Sequence, residues 1–415
     1  MRILISVLLI AVLAMHSAYA VQDTKPPLSY DFQLGDDGEI QGPARKWLAE
    51  RGKPARFVMI GEIHGLADVP VFSKSLYKLT DRTAVAIETD VWAAKKLEDL
   101  SYDKDDSFDR YFERRSNQYA IPFYSWKEEA EFLNSVTEIA GGVRPSIWGL
   151  DQIFAFGGKI ITERLRGKIR KSETKAALDA FENSLVTRPV IIGYGRQEAI
   201  EPLYQALLKE DDIEVQEIAE ALKASNEIYA PFTRGAGSGL IANQRRERMM
   251  KEIFFTYFSN ARKYAGLQKP MLKFGKFHMY RGITPTGVVG LGGFVDALAT
   301  ARGEPTLAVS IVCGEGSAAR QFDGSVETCS NNDIEKSRPL IAKLAAESSG
   351  NLLIDTVALR VHGGELMKLT SDSERDELAS FDAIVIIKNS KPATQFEAKI
   401  EDMDLGAILQ AESER

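Results

Sequence analysis

The stretch Phe57-Val-Met-Ile-Gly-Glu-Ile-His-Gly65 combines a strand signal with two ionisable side chains on which the interpretation of the chain depends. Its first four residues are apolar, as in a parallel strand that is buried on both faces. Glu62 and His64 follow two positions apart, so an extended backbone places both side chains on one face. Apolar residues at helical spacing in 67–79 predict that a helix comes next. A buried strand that ends in polar residues before a helix is typical of the active-site edge of an open α/β sheet.

The same pattern recurs at three later strand signals. Because the carboxyl ends of parallel strands meet at one edge of a sheet, the ionisable residues at these ends are expected to converge in a single crevice. Clustered carboxylates and imidazoles perturb one another's pKa values, as acid–base catalysis requires. Of the other two histidines, His16 and His362, neither is assigned a role. The candidate site residues at the strand ends are Glu62, His64, Glu88, Asp151 and His278.

Strand and helix signals alternate up to about residue 153, which predicts an α/β fold with a doubly wound, mainly parallel sheet. Residues 154–270 instead contain long charged segments with a helical period, which predict a helical insertion, or cap, over the sheet. Strand signals return in residues 271–415, so this part is expected to complete the core that residues 21–153 begin. Within that first part, residues 21–41 are polar and are predicted to be a surface lead-in.

The first 20 residues resemble a secretory signal peptide. Arg2 precedes a largely apolar run, residues 3–15, and Ala18-Tyr-Ala20 forms an A-x-A end, so cleavage is expected after Ala20. The alternative is an uncleaved anchor, but this run is shorter than the roughly 20 residues that span a bilayer. No later segment is long and apolar enough to cross a membrane. We therefore expect a periplasmic or secreted protein without a stable membrane anchor after cleavage.

Composition and cysteine content narrow the class of protein. The 415 residues are 44% hydrophobic and 27% charged, as in an ordinary globular protein, and the net charge of -7 with no long basic run argues against nucleic-acid binding. No P-loop or strand-then-helix G-x-G-x-x-G occurs, so no nucleotide cofactor is predicted and a small-molecule substrate is expected. Cys313 and Cys329 are expected to form a disulfide in an oxidising compartment, with two buried thiols as the alternative.

Five motifs resemble, in order, the signature of the erythromycin esterase-like superfamily, which also includes ChaN-like and Tiki groups. The resemblance implies a hydrolase in which His64 is the general base that activates water against an ester, lactone or related acyl bond, with Glu62 orienting the ring. It implies that His278, with Arg246, polarises the carbonyl or stabilises the oxyanion, while Glu88 and Asp151 set the electrostatics and position water. The motifs are Gly61-Glu-x-His-Gly65, Glu88, Gly149-Leu-Asp151, Arg246-Glu-x-x-Met250 and Gly275-x-x-His278.

The chain departs from the esterase pattern at three positions. Gly275 and Lys276 stand where esterase members usually have the first two residues of a His-Asn-x-His cluster, and Ile253 replaces a further Asn. These changes remove polar groups that would handle a macrolide, so erythromycin itself is not the expected substrate.

Two other functions stay open at this point. The same His, Glu and Asp side chains are an acceptable ligand set for Zn or Mn in a Tiki-like metal-dependent hydrolase, although H-E-x-x-H spacing is absent. A ChaN-like protein would bind haem or a small ligand without turnover, although the expected lipoprotein Cys is missing at the cleavage point. Purely structural roles also stay open for Glu88 or Asp151 at helix N-termini and for Arg246 as an exposed helix charge.

Overall fold

The computed structural model describes residues 26–103, 106–264, 268–320 and 325–414, and the predicted signal peptide of residues 1–20 lies outside these ranges. The strands are β1 (Ser29–Leu34), β2 (Ile40–Gln41), β3 (Phe57–Glu62), β4 (Ala84–Ile87), β5 (Ile147–Gly149), β6 (Pro270–Gly275), β7 (Thr306–Cys313), β8 (Gly316–Ala319), β9 (Val326–Cys329), β10 (Asn351–Asp355) and β11 (Ala383–Ile387).

Helices connect these strands. They are α1 (Pro43–Gly52), α2 (Asp68–Leu79), α3 (Val91–Tyr102), α4 (Ser107–Phe112), α5 (Arg115–Ala120), α6 (Lys127–Ala140), α7 (Gly158–Arg166), α8 (Ser172–Thr187), α9 (Ile191–Tyr194), α10 (Gln197–Leu207), α11 (Ile213–Thr233), α12 (Gly239–Tyr264), α13 (Leu291–Thr300), α14 (Asn331–Ser337), α15 (Pro339–Ala346), α16 (Thr356–His362), α17 (Asp372–Ser380) and α18 (Leu405–Ser413), with 3-10 turns at Lys276–Met279 and Gly364–Leu369. In the part of the chain that the structure describes, no helix is both long and apolar enough to cross a membrane.

The prediction of an α/β fold with a mainly parallel sheet is confirmed. The main sheet has the order β2-β1-β10-β11-β7-β3-β6-β4-β5. The six strands from β11 to β5 are parallel to their neighbours, whereas β10, β1 and β2 pair antiparallel at the other end. Strands β3, β6, β4 and β5 are adjacent in that order, so the four strands that precede the candidate site residues lie side by side.

An apolar core covers each face of the sheet, and the side chains of β3 alternate between the two cores. Val58 and Ile60 belong to the larger core, which includes apolar residues of α2, α3 and α6. Phe57 and Met59 face a second core on the opposite side, and the Phe57 ring lies 5.6 Å from that of Phe254 on α12. A strand that is apolar on both faces therefore takes a central place in the sheet.

The prediction of a surface lead-in over residues 21–41 is wrong where the structure describes this segment. Ser29–Leu34 forms β1, which pairs antiparallel with β10. Phe32 is buried, and its ring lies 5.8 Å from that of Phe72. The alternation of apolar and polar residues in 30–34 was a period-two strand signal.

Between β5 and β6 the described residues form helices α7 to α12 and their connections, as expected for residues 154–270. Helix α12 packs on the sheet itself, because Met250, Phe254 and Phe258 join the core that contains Phe57. The division of the chain into a core and a separate cap stays a prediction.

The C-terminal part completes the sheet and also touches the loop that follows β3. The predicted disulfide between Cys313 and Cys329 is present, with Cα atoms 5.9 Å apart, and it ties the hairpin β8–β9 to the end of β7. The backbone N–H of Ala319 in this hairpin donates to the carbonyl of Gly65 at 2.8 Å, as does that of Ala393 at 2.8 Å. These contacts fix the backbone immediately after His64.

Candidate active site

The end of β3 and the turn that follows it bring Glu62 and His64 together. Glu62 is the last residue of β3, and its Oε1 lies 2.9 Å from Nδ1 of His64. The His64 ring stacks on Phe123, with centroids 3.8 Å apart and planes 8° from parallel. Gly65 has φ +85, and a Cβ there would lie 2.0 Å from the carbonyl oxygen of Ala319, so only glycine fits this turn. Glu62 thus holds the imidazole in its plane, and Phe123 covers one face of the ring.

Glu88, directly after β4, lies between the two imidazoles. Its Oε2 is 3.5 Å from Nε2 of His64, and its Oε1 is 3.3 Å from Nε2 of His278. The backbone N–H of Gly275 donates to Oε2 at 2.6 Å. A Cβ at Gly275 would lie 3.0 Å from His64 Nε2 and 3.1 Å from Glu88 Oε2, so the departure from the esterase pattern at this position makes room for that pair.

His278 is oriented from behind by a carboxylate that was not assigned a role from the sequence. Its Nδ1 lies 2.6 Å from Oε1 of Glu247, and the other oxygen of Glu247 accepts a hydrogen bond from the backbone N–H of Leu291 at 2.8 Å. Glu247 follows Arg246 in the motif on α12, so the motif itself was the available signal. Each imidazole therefore has a carboxylate on Nδ1 and shares Glu88 on Nε2.

Arg246 joins the ends of β4 and β5. Its Nε donates to Oδ1 of Asp151 at 2.9 Å, Nη2 also pairs with the second oxygen of Asp151, and Nη2 donates to Oε1 of Glu88 at 2.9 Å. The guanidinium is therefore not a free surface charge. Asp90, rather than Glu88, caps α3 through the N–H groups of Trp92 and Ala93. All six candidate residues thus belong to one connected cluster.

A buried lysine extends this cluster behind the sheet edge. Lys273 on β6 is fully buried, and its Nζ lies 2.7 Å from Oε2 of Glu62 and 2.6 Å from Oε1 of Glu129 on α6. Sequence reasoning missed both Lys273 and Glu129. A charged residue inside the buried apolar run 271–274 was a signal for Lys273, whereas the contribution of Glu129 depends on how α6 packs on the sheet.

Positive and negative side chains alternate in the cluster. Each charged group therefore has neighbours of opposite charge, which shift its pKa in favour of the charged form. Burial opposes the charged form of His64, but its hydrogen bond to Glu62 and the nearby charge of Glu88 outweigh burial and raise its pKa to about 9. Burial and the nearby Arg246 lower the pKa of His278, but Glu88 and Glu247 outweigh them and raise it to about 9. Burial raises the pKa of Glu88, but the two imidazoles outweigh it and hold the pKa well below the usual range. At neutral pH both rings are therefore mainly imidazolium.

The metal-dependent alternative stays a prediction, and the present contacts of Glu88 bear on it. Among the residues that the structure describes, no group of three or more His, Cys, Asp or Glu side chains is placed to hold a metal ion. Both oxygens of Glu88 already accept hydrogen bonds, from Arg246 and from the N–H of Gly275. A Zn or Mn ion between the rings would have to compete with the guanidinium for these oxygens.

Comparison with solved structures supports the predicted resemblance at the level of the fold. A mutant of the erythromycin esterase EreC in its open conformation has a TM-score of 0.58 and 15% identity, covering 89% of this chain and 98% of that chain. A Bacillus cereus protein has a TM-score of 0.57 and 14% identity, covering 88% and 96%. A succinoglycan biosynthesis protein has a TM-score of 0.56 and 15% identity, covering 88% and 95%. The chain therefore has the fold of the erythromycin esterase.

No protein-family model matches the chain, and no curated protein matches it.

Proposed function

We propose that this protein is a hydrolase of an ester, lactone or related acyl bond and that His64 is its general base. The proposal depends on one observation: the contact between His64 and Glu88 is longer than the other contacts of His64 in the cluster. His64 Nδ1 is held by Glu62 at 2.9 Å, but its Nε2 lies 3.5 Å from Glu88, beyond the usual range of a hydrogen bond. Nε2 is thus the position at which a water molecule can replace a protein partner.

The reaction follows from that geometry. Neutral His64 takes a proton from water through Nε2, and the resulting hydroxide attacks the carbonyl carbon of the substrate. The tetrahedral intermediate then collapses, the bond to the leaving oxygen breaks, and the proton on His64 passes to that oxygen. The products are an acid and an alcohol, or one hydroxy acid when the substrate is a lactone. Glu62 stabilises the imidazolium that forms between these two steps.

His278 and Arg246 are assigned to the developing oxyanion. Both carry positive charge at neutral pH, and both contact Oε1 of Glu88, at 3.3 and 2.9 Å. Preorganised cationic donors of this kind stabilise an oxyanion more strongly in a site that excludes water. Asp151 holds the guanidinium in place through Nε and Nη2.

This mechanism requires opposite protonation states in two rings of similar pKa. His64 must be neutral to act as base, whereas His278 must keep its proton to act as donor. With a pKa of about 9, roughly one His64 ring in a hundred is neutral at pH 7. The proposal therefore implies an enzyme that works best in the alkaline range.

The proposed setting is the periplasm or the exterior of the cell. The disulfide between Cys313 and Cys329 supports an oxidising compartment, in agreement with the leader-like sequence of residues 1–20. The substrate is a small molecule in this proposal, since the negative net charge does not favour nucleic acid. The haem-binding alternative is tested by an absorbance scan of the purified protein, in which we expect no Soret band.

The direct test is the variant His64→Ala assayed on a panel of simple esters and lactones. We expect kcat/KM to fall by at least about 100-fold, the low end of general acid–base contributions. The matched control is His362→Ala, because His362 ends α16 outside the cluster. Intact turnover in His64→Ala, or an equal loss in His362→Ala, would refute the assignment.

A further inference from the structure

The cluster has a second layer that the proposed mechanism does not use. Glu129, Lys273, Glu62, His64, Glu88, His278 and Glu247 form an unbroken chain of alternating charge, in which consecutive contacts run from 2.6 to 3.5 Å. The first two members lie behind the sheet edge. Lys273 has no exposed surface, and the Glu129 side chain is 4% exposed, so neither side chain can meet a substrate directly.

We propose that Lys273 and Glu129 are positioning residues of the active site: the Lys273 ammonium holds one oxygen of Glu62 so that the other faces His64, and Glu129 holds that ammonium. The two oxygens of Glu62 have different partners, since Oε2 lies 2.7 Å from Lys273 and Oε1 lies 2.9 Å from His64. Without Lys273, Glu62 keeps His64 as a charged partner, so its full negative charge acts on that ring. This inference rests on the proposed function of His64, but its readout does not require turnover.

Lys273 also has an electrostatic effect on His64 with a definite sign. A cation near an imidazole favours the neutral ring, and a carboxylate favours the charged ring. Burial opposes the charge on Lys273, but Glu129 and Glu62 outweigh burial and raise its pKa, so the ammonium is retained. Lys273 thus offsets part of the negative charge that Glu62 places beside His64. It moves the ring towards the neutral form that a general base requires.

Glu129 has the opposite effect because it offsets the charge of Lys273. Burial raises the pKa of Glu129 to about 7, although Lys273 lowers it, so the carboxylate is largely ionised where His64 titrates. The side chains that face the Glu62–His64 pair come from β6, α6, the end of β4 and the segment before α6. They are Lys273, Glu129, Glu88, Phe123 and Tyr124, with His278 and Arg246 reaching the pair through Glu88.

Two variants are expected to move the His64 titration in opposite directions. In Lys273→Met the loss of the cation raises the midpoint of His64 by at least about one pH unit. In Glu129→Gln the loss of an anion, with Lys273 retained, lowers the midpoint by at least about half a unit. At pH 8 we expect kcat/KM on an ester to fall about tenfold in the first variant and to rise about threefold in the second. Structural damage alone would not increase the rate.

The measurement is a pH titration of the imidazole signals by NMR in the full chain labelled at histidine. The sequence contains four histidines, and the signal of His64 is identified by its disappearance in His64→Gln. The matched control is Lys276→Met, since Lys276 is also a buried lysine but pairs with Glu377 rather than with Glu62. In this control we expect the His64 midpoint to stay within about 0.3 units of the wild type.

The outcomes separate this proposal from the proposed function. Opposite shifts of the His64 midpoint in the two variants support the positioning roles, even if no ester on the panel is hydrolysed. An unchanged midpoint in both variants, or shifts of the same sign, would overturn them. If Lys273→Met fails to fold, Glu129→Gln still tests the proposal, because it keeps the ion pair between Lys273 and Glu62. In that variant only a lowered His64 midpoint agrees with the proposal.

Discussion

Two buried lysines, Lys273 on β6 and Lys276 directly after it, pair with buried glutamates on opposite faces of the sheet. Lys273 lies between Glu62 and Glu129, whereas Lys276 Nζ lies 3.0 Å from Oε1 of Glu377. Glu377 also accepts from Ser310 at 2.7 Å and pairs with Arg338 at 2.6 Å. Both networks are buried and of similar chemistry.

The two networks differ in whether every charged atom has a close partner. The Glu377 network is closed, since each carboxylate oxygen has a cationic partner within 3.0 Å. The Lys273 network continues into two imidazoles whose Nε2 atoms lie 3.3 and 3.5 Å from Glu88. Buried charge alone therefore does not mark an active site. The feature on which the proposed function rests is a chain of buried charge that contains loosely held titratable atoms, because those atoms can exchange a protein contact for a water or a substrate.

The largest expected difference between the networks appears when the central carboxylate of each is neutralised. In Glu88→Gln both imidazoles lose their shared anion, and the single amide oxygen can accept from Arg246 or from the N–H of Gly275 but not from both sides as the carboxylate does. We expect the pKa of both imidazoles to fall by more than one unit. His278 then no longer keeps the proton that it must donate, so kcat/KM on an ester is expected to fall by at least about 100-fold.

The matched variant in the other network is Glu377→Gln, which neutralises a carboxylate that is 2% exposed, against 6% for Glu88. We expect its kcat/KM to stay within about threefold of the wild type. Equal losses in the two variants would show that the cluster around Glu88 supports the fold rather than the chemistry.

A smaller effect, on stability, is expected when the closed network is broken. Lys276→Met leaves Glu377 buried with Arg338 and Ser310 as its remaining partners. Because one countercharge remains, we expect the free energy of unfolding to fall by about 1–3 kcal/mol, less than for a buried pair left without any partner. Urea denaturation at pH 7 measures this change. A loss of stability below about 0.5 kcal/mol would show that the pair contributes little beyond its desolvation cost.

The sequence was sufficient to predict which strand ends meet. Glu62, His64, Glu88, Asp151 and His278 each follow a run of apolar residues, and parallel strands must place such ends on one edge. Glu62 and His64 lie 2.9 Å apart, but the strand ends at Glu62, so the extended backbone on which the predicted common face depended does not reach His64.

The missed features depend on packing between distant segments. Glu129 lies on the expected helix after residue 125, but only the way α6 packs brings it to Lys273. Phe123 stacks on His64 from a backbone with φ +67, which no local pattern indicates for an aromatic residue. Strand β1 was missed although its period-two alternation was present, because the proline and glycine residues around it were given more weight.

The assignment of His64 as general base is best tested by the pH dependence of kcat/KM for the wild-type protein on a hydrolysed ester. His64 must lose its proton and His278 must keep one, and each has a pKa of about 9. We therefore expect kcat/KM to rise about tenfold per pH unit from pH 6 to 8, to reach a maximum near pH 9 and to fall above it. A rate that is constant between pH 6 and 8 would contradict the assignment of His64 as a base whose charge is stabilised by Glu62 and Glu88.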